Sequence, residues 1–177
     1  MFFLGSPRLT LDRQPVELTA AKAIALLGYL AAQREPQARD HVLGLLWAES
    51  TDEAAHKNLR NTLWTIRKSL GDETVVADNN HLSISREVWI DVREFETVAD
   101  SQADVSGLKS AVALYRAPCL DALILTDAPE FEIWLTGERE RLAQLNLHLL
   151  AALVEAYTNK GSWRAVIETT QHALSQD

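Results

Sequence analysis

"HKNLRNTLWTIRKSLG", residues 56–71, carries His56, Lys57, Arg60, Arg67 and Lys68 and no carboxylate, in a chain whose formal net charge is −8. At 100° per residue, Ala55, Leu59, Leu63, Ile66 and Leu70 align on a stripe roughly 80° wide, the spacing of a helix with one face in a core. His56, Lys57, Arg60, Asn61, Trp64, Arg67 and Lys68 fall on an adjoining arc of roughly 140°. Solvated helices normally mix both signs, which gains pairs three or four residues apart. This arc holds four formal positive charges and no negative one. Arginine bonds guanine bidentately, asparagine bonds adenine and lysine neutralises phosphate, so the composition suits a helix in the major groove of double-stranded DNA. An ordinary solvated face, or a face for an acidic protein partner, are the other readings of the same arc.

Working outward, Ser50 with Glu53 three residues on matches a capping box for this helix, which spans about 54–70, and Gly71 supplies its stop. Upstream, "RDHVLGLLWAE" predicts a short bracing helix. Before the break at Pro36, "AAKAIALLGYLAAQ" is apolar nearly all round, as a buried helix is, with Thr19 as its cap. The segment up to Leu18 predicts a small antiparallel hairpin turning at Arg13-Gln14. Downstream, "TVVAD" and "HLSIS" are β-prone and meet at Asn79-Asn80, a pair that tolerates a left-handed turn, and "VWIDV" suggests an added edge strand. Strands, three helices and a hairpin, in that order, are the arrangement of a winged helix–turn–helix, an α+β domain with small antiparallel sheets. Within it Arg39 is placed for a phosphate contact, and Asn79, Asn80 and His81 form the tip of the wing. Arg39 as a plain surface residue, and the Asn pair as turn formers only, are the simpler readings.

From Arg93 onward the character changes to helix with polar turns. "VSGLKSAVALYR" is amphipathic, "APCLDALILTDAP" is a loop bounded by prolines, Pro129 opens a long helix to about Asn159, and "SWRAVIETTQHALSQD" follows the break at Gly161. Antiparallel helix pairs of this kind are the unit of helical-repeat proteins, where each pair needs neighbours to cover its apolar face. The expected organisation is a winged domain over 1–92 and an all-α domain over 93–177, in a chain cut from a longer protein.

The chain has 177 residues, 47% of them hydrophobic, enough for a sizeable core. No apolar run reaches the roughly 18–20 residues of a membrane span, and the polar start is no signal peptide, so a cytoplasmic protein away from membranes is expected. Residues 1–99 hold eleven Lys and Arg against fourteen Asp and Glu, net −3, whereas residues 100–177 hold six against eleven, net −5. That overall acidity excludes indiscriminate polyanion binding but not one basic face in the first half. The single cysteine, Cys119, is expected as a buried small hydrophobe. The seven glycines form no phosphate-cradling loop. His41, His56, His81, His148 and His172 have no ligand spacing, and His148 is expected as a satisfied core residue. Glu138 and Glu140 beside Arg139 and Arg141 are read as a helix-surface ion-pair patch rather than an acid–base pair. No cofactor, metal or enzyme activity is expected.

"LTAAKAIALLGYLAAQ", "RDHVLGLLWAE", "NLRNTLWTIRKSLG" and "DVREF", in that order, resemble the N-terminal region of the SARP (Streptomyces antibiotic regulatory protein) type of transcriptional activators, an OmpR-like winged helix–turn–helix. "LKSAVALYRAPCLDAL", "EFEIWLTGERERLAQL" and "GSWRAVIETTQHAL" resemble the bacterial transcriptional activator domain that follows it, a tetratricopeptide-like module. The resemblance implies Arg60, Arg67 and Lys68 on the recognition helix, fixed by Leu59, Leu63 and Leu70, with Trp47 as packing. Glu130, Phe131, Trp134, Arg139 and Arg141 match the activator domain's signature, with Phe131 and Trp134 buried and the charged residues bridging helices or facing the winged domain. It implies promoter DNA with direct repeats, homodimers on that DNA, contact with RNA polymerase, and further domains in a longer parent. Two features depart from the family: a wing less basic than usual, and Gly137 inside the long helix, which costs about 1 kcal/mol relative to alanine and suggests a bend or tight crossing. The contrasting expectation is a signalling or scaffold module whose helical repeat binds a protein and whose winged half has lost DNA.

Overall fold

In the computed structural model residues 1–101 and 103–174 are described. The chain opens with two short antiparallel strands, β1 (Leu9–Leu11) and β2 (Gln14–Val16), in register Leu9↔Val16. Their turn is Asp12-Arg13, with φ of 51° and 67°, one residue before the expected Arg13-Gln14. Positive φ at both central residues gives the turn whose twist matches the strands, so Gln14 is free to pair with Leu11.

Helix α1 (Ala21–Ala32) is buried over most of its length, as its composition requires. Thr19 does not cap it; the N-cap is Ala20, with no side-chain bond. Two-residue β3 (Gln37–Ala38) leads into α2 (Arg39–Trp47) and then α3 (Asp52–Leu70). The α3 cap is Thr51, whose hydroxyl accepts from the Ala54 amide at 3.4 Å, so the Ser50–Glu53 box is displaced by one residue. Gly71, at φ 93°, ends the helix as expected and donates its amide to the Arg67 carbonyl at 2.8 Å.

After a short 3-10 turn come β4 (Val75–Ala77) and β5 (His81–Ile84), and β3 joins the far edge of β5, giving the order β3-β5-β4. The edge strand expected from "VWIDV" does not form. Asp91 begins α4 (Asp91–Ala99), while the Met1 ammonium donates to the Trp89 carbonyl (2.7 Å) and the Asp91 amide to the Met1 carbonyl (3.1 Å).

The remaining helices, α5 (Val105–Leu114), α6 (Pro129–Asn159) and α7 (Trp163–Leu174), pack each against the next, with α4 against α5. The end of the last helical pattern, residues 175–177, lies outside the described residues. Helix α6, 31 residues long, also packs against α2 and α4. One apolar cluster includes Phe3, Leu26, Leu46, Ile66, Phe95 and Phe131, so the core runs through both halves. Phe131 is buried, whereas Trp134 is only half-buried, its ring edge-on to Tyr29 at 5.0 Å.

Several α6 expectations are corrected. Glu138 is not on the surface but buried, and binds Arg141, which also bonds Glu96 of α4. Arg139 is in no ion pair among the described residues; its guanidinium donates to the carbonyls of Cys119 and Leu120, both at 2.8 Å. Glu130 is exposed. His148 is exposed too, and the buried polar residue of that stretch is Asn146, in phase with Leu142, Leu149 and Leu153. A Cβ at Gly137 would meet nothing within 4 Å among the described residues, so the tight crossing expected there is not formed by them. The close approach is at Gly28 of α1, where a Cβ would lie 2.6 Å from a Leu120 methyl.

Candidate nucleic-acid interface

The apolar stripe of α3 is buried as its spacing requires: Ala55, Leu59, Leu63, Ile66 and Leu70. Burying that stripe turns His56, Lys57, Arg60, Asn61, Trp64 and Lys68 outward, and all six are exposed. Among the described residues, none of Lys57, Arg60, Arg67 and Lys68 is in an ion pair. Helix physics accounts for part of this. Asp52 and Glu53 in the first turn and Arg67 and Lys68 in the last complement the helix dipole. Lys57 and Arg60 stand mid-helix, where the dipole gives them no such benefit.

Arg67 departs from the expected exposed arc. It is half-buried, its Nη2 donates to the Val75 carbonyl of β4 at 3.3 Å, and its Nε is buried with no hydrogen-bond partner among the described residues. Arg67 therefore ties α3 to the wing more than it presents a free cation. The Lys68 ammonium sits over the Trp64 ring, 4.9 Å from its centroid, a cation–π contact.

Arg39 is also held by the wing. Its Nε donates to the Asp78 carbonyl and its amide to the Asn80 carbonyl, both at 2.8 Å. The wing tip is organised by Asp78, a residue that sequence reasoning passed over. Its Oδ1 accepts from the amides of Asn80 (2.7 Å) and His81 (2.6 Å), and these bonds hold the carboxyl below its ordinary value. Neither Asn79 nor Asn80 adopts the left-handed conformation expected of them, because the Asp78 side chain closes the turn instead. The signal was present as an Asp three residues before the strand β5, placed to accept from the amides two and three residues on, an Asx turn.

Arg39, Arg60, Leu63, Trp64, Arg67, Lys68 and Asp72 line one open concavity of about 640 Å³ between α3 and its neighbours. The structure thus brings Arg39 together with the second half of the arc. His56, Lys57 and Asn61 lie outside that concavity, as do Asn79, Asn80 and His81 at the wing tip. No His, Cys, Asp or Glu cluster among the described residues has the makings of a metal site, and no helix is long and apolar enough to cross a membrane. Burial pushes the Cys119 thiol up to about 12, the state of an inert packed side chain.

Residues 91–177 match the family model of the bacterial transcriptional activator domain. Among solved structures the chain resembles Mycobacterium tuberculosis EmbR in complex with a low-affinity phosphopeptide, with a TM-score of 0.72 at 22% identity. The match covers 96% of this chain and 48% of that one, so this chain spans about half the length of EmbR in that structure and shares its fold. No curated protein sequence matches significantly.

Proposed function

We propose that the chain, with a bacterial transcriptional activator domain over residues 91–177 behind a winged helix–turn–helix, is a SARP-type transcriptional regulator that binds promoter DNA through α3. The observation that carries this is the exposed arc of α3, whose mid-helix cations Lys57 and Arg60 have no acidic partner among the described residues and no dipole to serve. In this reading α3 enters the major groove, Arg60 and Asn61 meet base edges, and Lys57, His56 and Lys68 meet phosphate. Arg67 holds the wing against α3 and Arg39 holds it against the start of α2, which fixes the angle between groove-reading helix and flanking contact. Asn79, Asn80 and His81 touch the backbone beside the groove, with the Asp78 carboxylate limiting how closely the tip approaches. The winged part, about 1–92, reads DNA in the cytoplasm. The helical part, about 93–177, places two copies on direct repeats and presents a surface to RNA polymerase or to further domains of a longer parent.

The scaffold reading draws on the net charge of −8 and the carboxylate at the wing tip. Selection from a randomised duplex pool separates the two. DNA reading is expected to enrich a repeated site, with Arg60→Ala costing about 1–3 kcal/mol on it and Lys57→Ala lowering the salt slope by about 1. A pool that emerges unenriched would favour the scaffold.

A further inference from the structure

Trp64 is the one large apolar side chain on the cationic arc. It stands mid-helix, with Arg60 and Asn61 a turn before it and Arg67 and Lys68 a turn after, and it is 62% exposed. An indole in water forfeits burial that the core supplies elsewhere, as to Trp47. Exposure alone does not mark it, since Trp89 and Trp163 are also exposed. Its placement does. Trp64 lines the same concavity as Arg39, Arg60 and Lys68, and one side of its ring carries the Lys68 ammonium.

We infer that Trp64 is a specificity-determining residue that reads thymine, its indole meeting the 5-methyl group in the major groove while Lys68, steadied over the ring, serves a phosphate. This rests on the proposal that α3 binds DNA. In the major groove the thymine methyl is the one apolar feature on a base edge, and an apolar side chain there distinguishes T·A from the other pairs. The neighbouring cations bring the duplex close but do not recognise a methyl group. A tryptophan that merely stacked against sugar or spaced the backbone would be blind to it.

The experiment uses the 177-residue chain. Duplexes enriched from a randomised pool are resynthesised with deoxyuridine in place of thymidine, one position at a time, and titrated with wild type, Trp64→Ala and Trp64→Leu. At one thymine per repeat, removing the methyl is expected to weaken wild-type binding about fourfold, the worth of one buried methyl group. Trp64→Ala is expected to bind the thymine and uracil duplexes alike, and Trp64→Leu, still apolar, to retain the discrimination. Because the side chain is exposed, circular dichroism of all three should agree. Equal wild-type affinity for thymine and uracil at every position, or discrimination that survives in Trp64→Ala, overturns the assignment while leaving DNA binding intact. Failure to enrich any duplex overturns both.

Discussion

Asp91 is wholly buried, and its carboxylate accepts from the amides of Phe3 (2.8 and 2.9 Å), Leu4 (3.0 Å) and Val92 (2.9 Å), with Arg116 at 3.6 Å. Those partners favour the charged form, yet burial outweighs them and pushes the carboxyl above its ordinary value. The folded chain therefore holds this proton more tightly than the unfolded chain does. The resulting contribution favours folding at low pH and is lost as pH rises from about 4 through the raised value. Asp91→Asn removes that pH slope from thermal melts. It also points an amide donor at donors, which is expected to cost about 1–3 kcal/mol at neutral pH. Nothing local in "WIDVRE" announces this role, because the Phe3 and Leu4 amides that Asp91 serves lie 88 and 87 positions earlier in the chain. Arg67 shows the same limit. Helical spacing placed it on the arc, but its bond to Val75 depends on where β4 passes, which periodicity does not encode.

At the scale of elements, α3 was legible because a 3.6-residue period fixes which side chains are buried, and all five stripe residues are. Its cap was misplaced by one residue because Ser50 and Thr51 are adjacent and both are good N-caps. Thr51→Ala is expected to cost about 1 kcal/mol and Ser50→Ala almost nothing, measured by urea unfolding. The glycines divide in the same way. Gly28→Ala forces a methyl into Leu120 and should cost about 1–3 kcal/mol, while Gly137→Ala, facing solvent, should gain up to about 1 kcal/mol. Gly137 stands out in the sequence because it interrupts a helix, whereas Gly28 in an all-apolar helix gives no such sign. Two-residue β3 and the bridges from Leu4 and Gly5 to Cys119 are too short and too distant to show as patterns.

The two halves share more than a linker. Arg93 of α4 donates to the carbonyls of Leu30, Ala31 and Gln33 at the end of α1, and Lys22 of α1 bonds the Leu46 carbonyl and pairs with Asp127 at 3.2 Å. Arg141 of α6 bonds Glu138 (2.6 Å) and Glu96, and Arg34 beyond α1 reaches Asp100 at 2.7 Å. These carboxylates hold the Arg141 guanidinium further up its already high range. Arg141→Met leaves two carboxylates, each about 9% exposed, without their main partner, a loss of about 3–5 kcal/mol. With a core that crosses both halves, the variant is expected to melt in one transition at lower temperature, read by calorimetry. That continuity sets α2 and α3 in a fixed relation to α6, so a surface on the helical part keeps its place relative to any DNA on α3. DNA binding by the mid-helix cations is tested most directly by the salt dependence of affinity for an enriched duplex, wild type beside the double substitution Lys57→Ala and Arg60→Ala. The expected result is a steep wild-type slope that flattens in the variant together with a loss of about 2–4 kcal/mol. Equal affinities and equal slopes would contradict it and assign those cations to a protein partner.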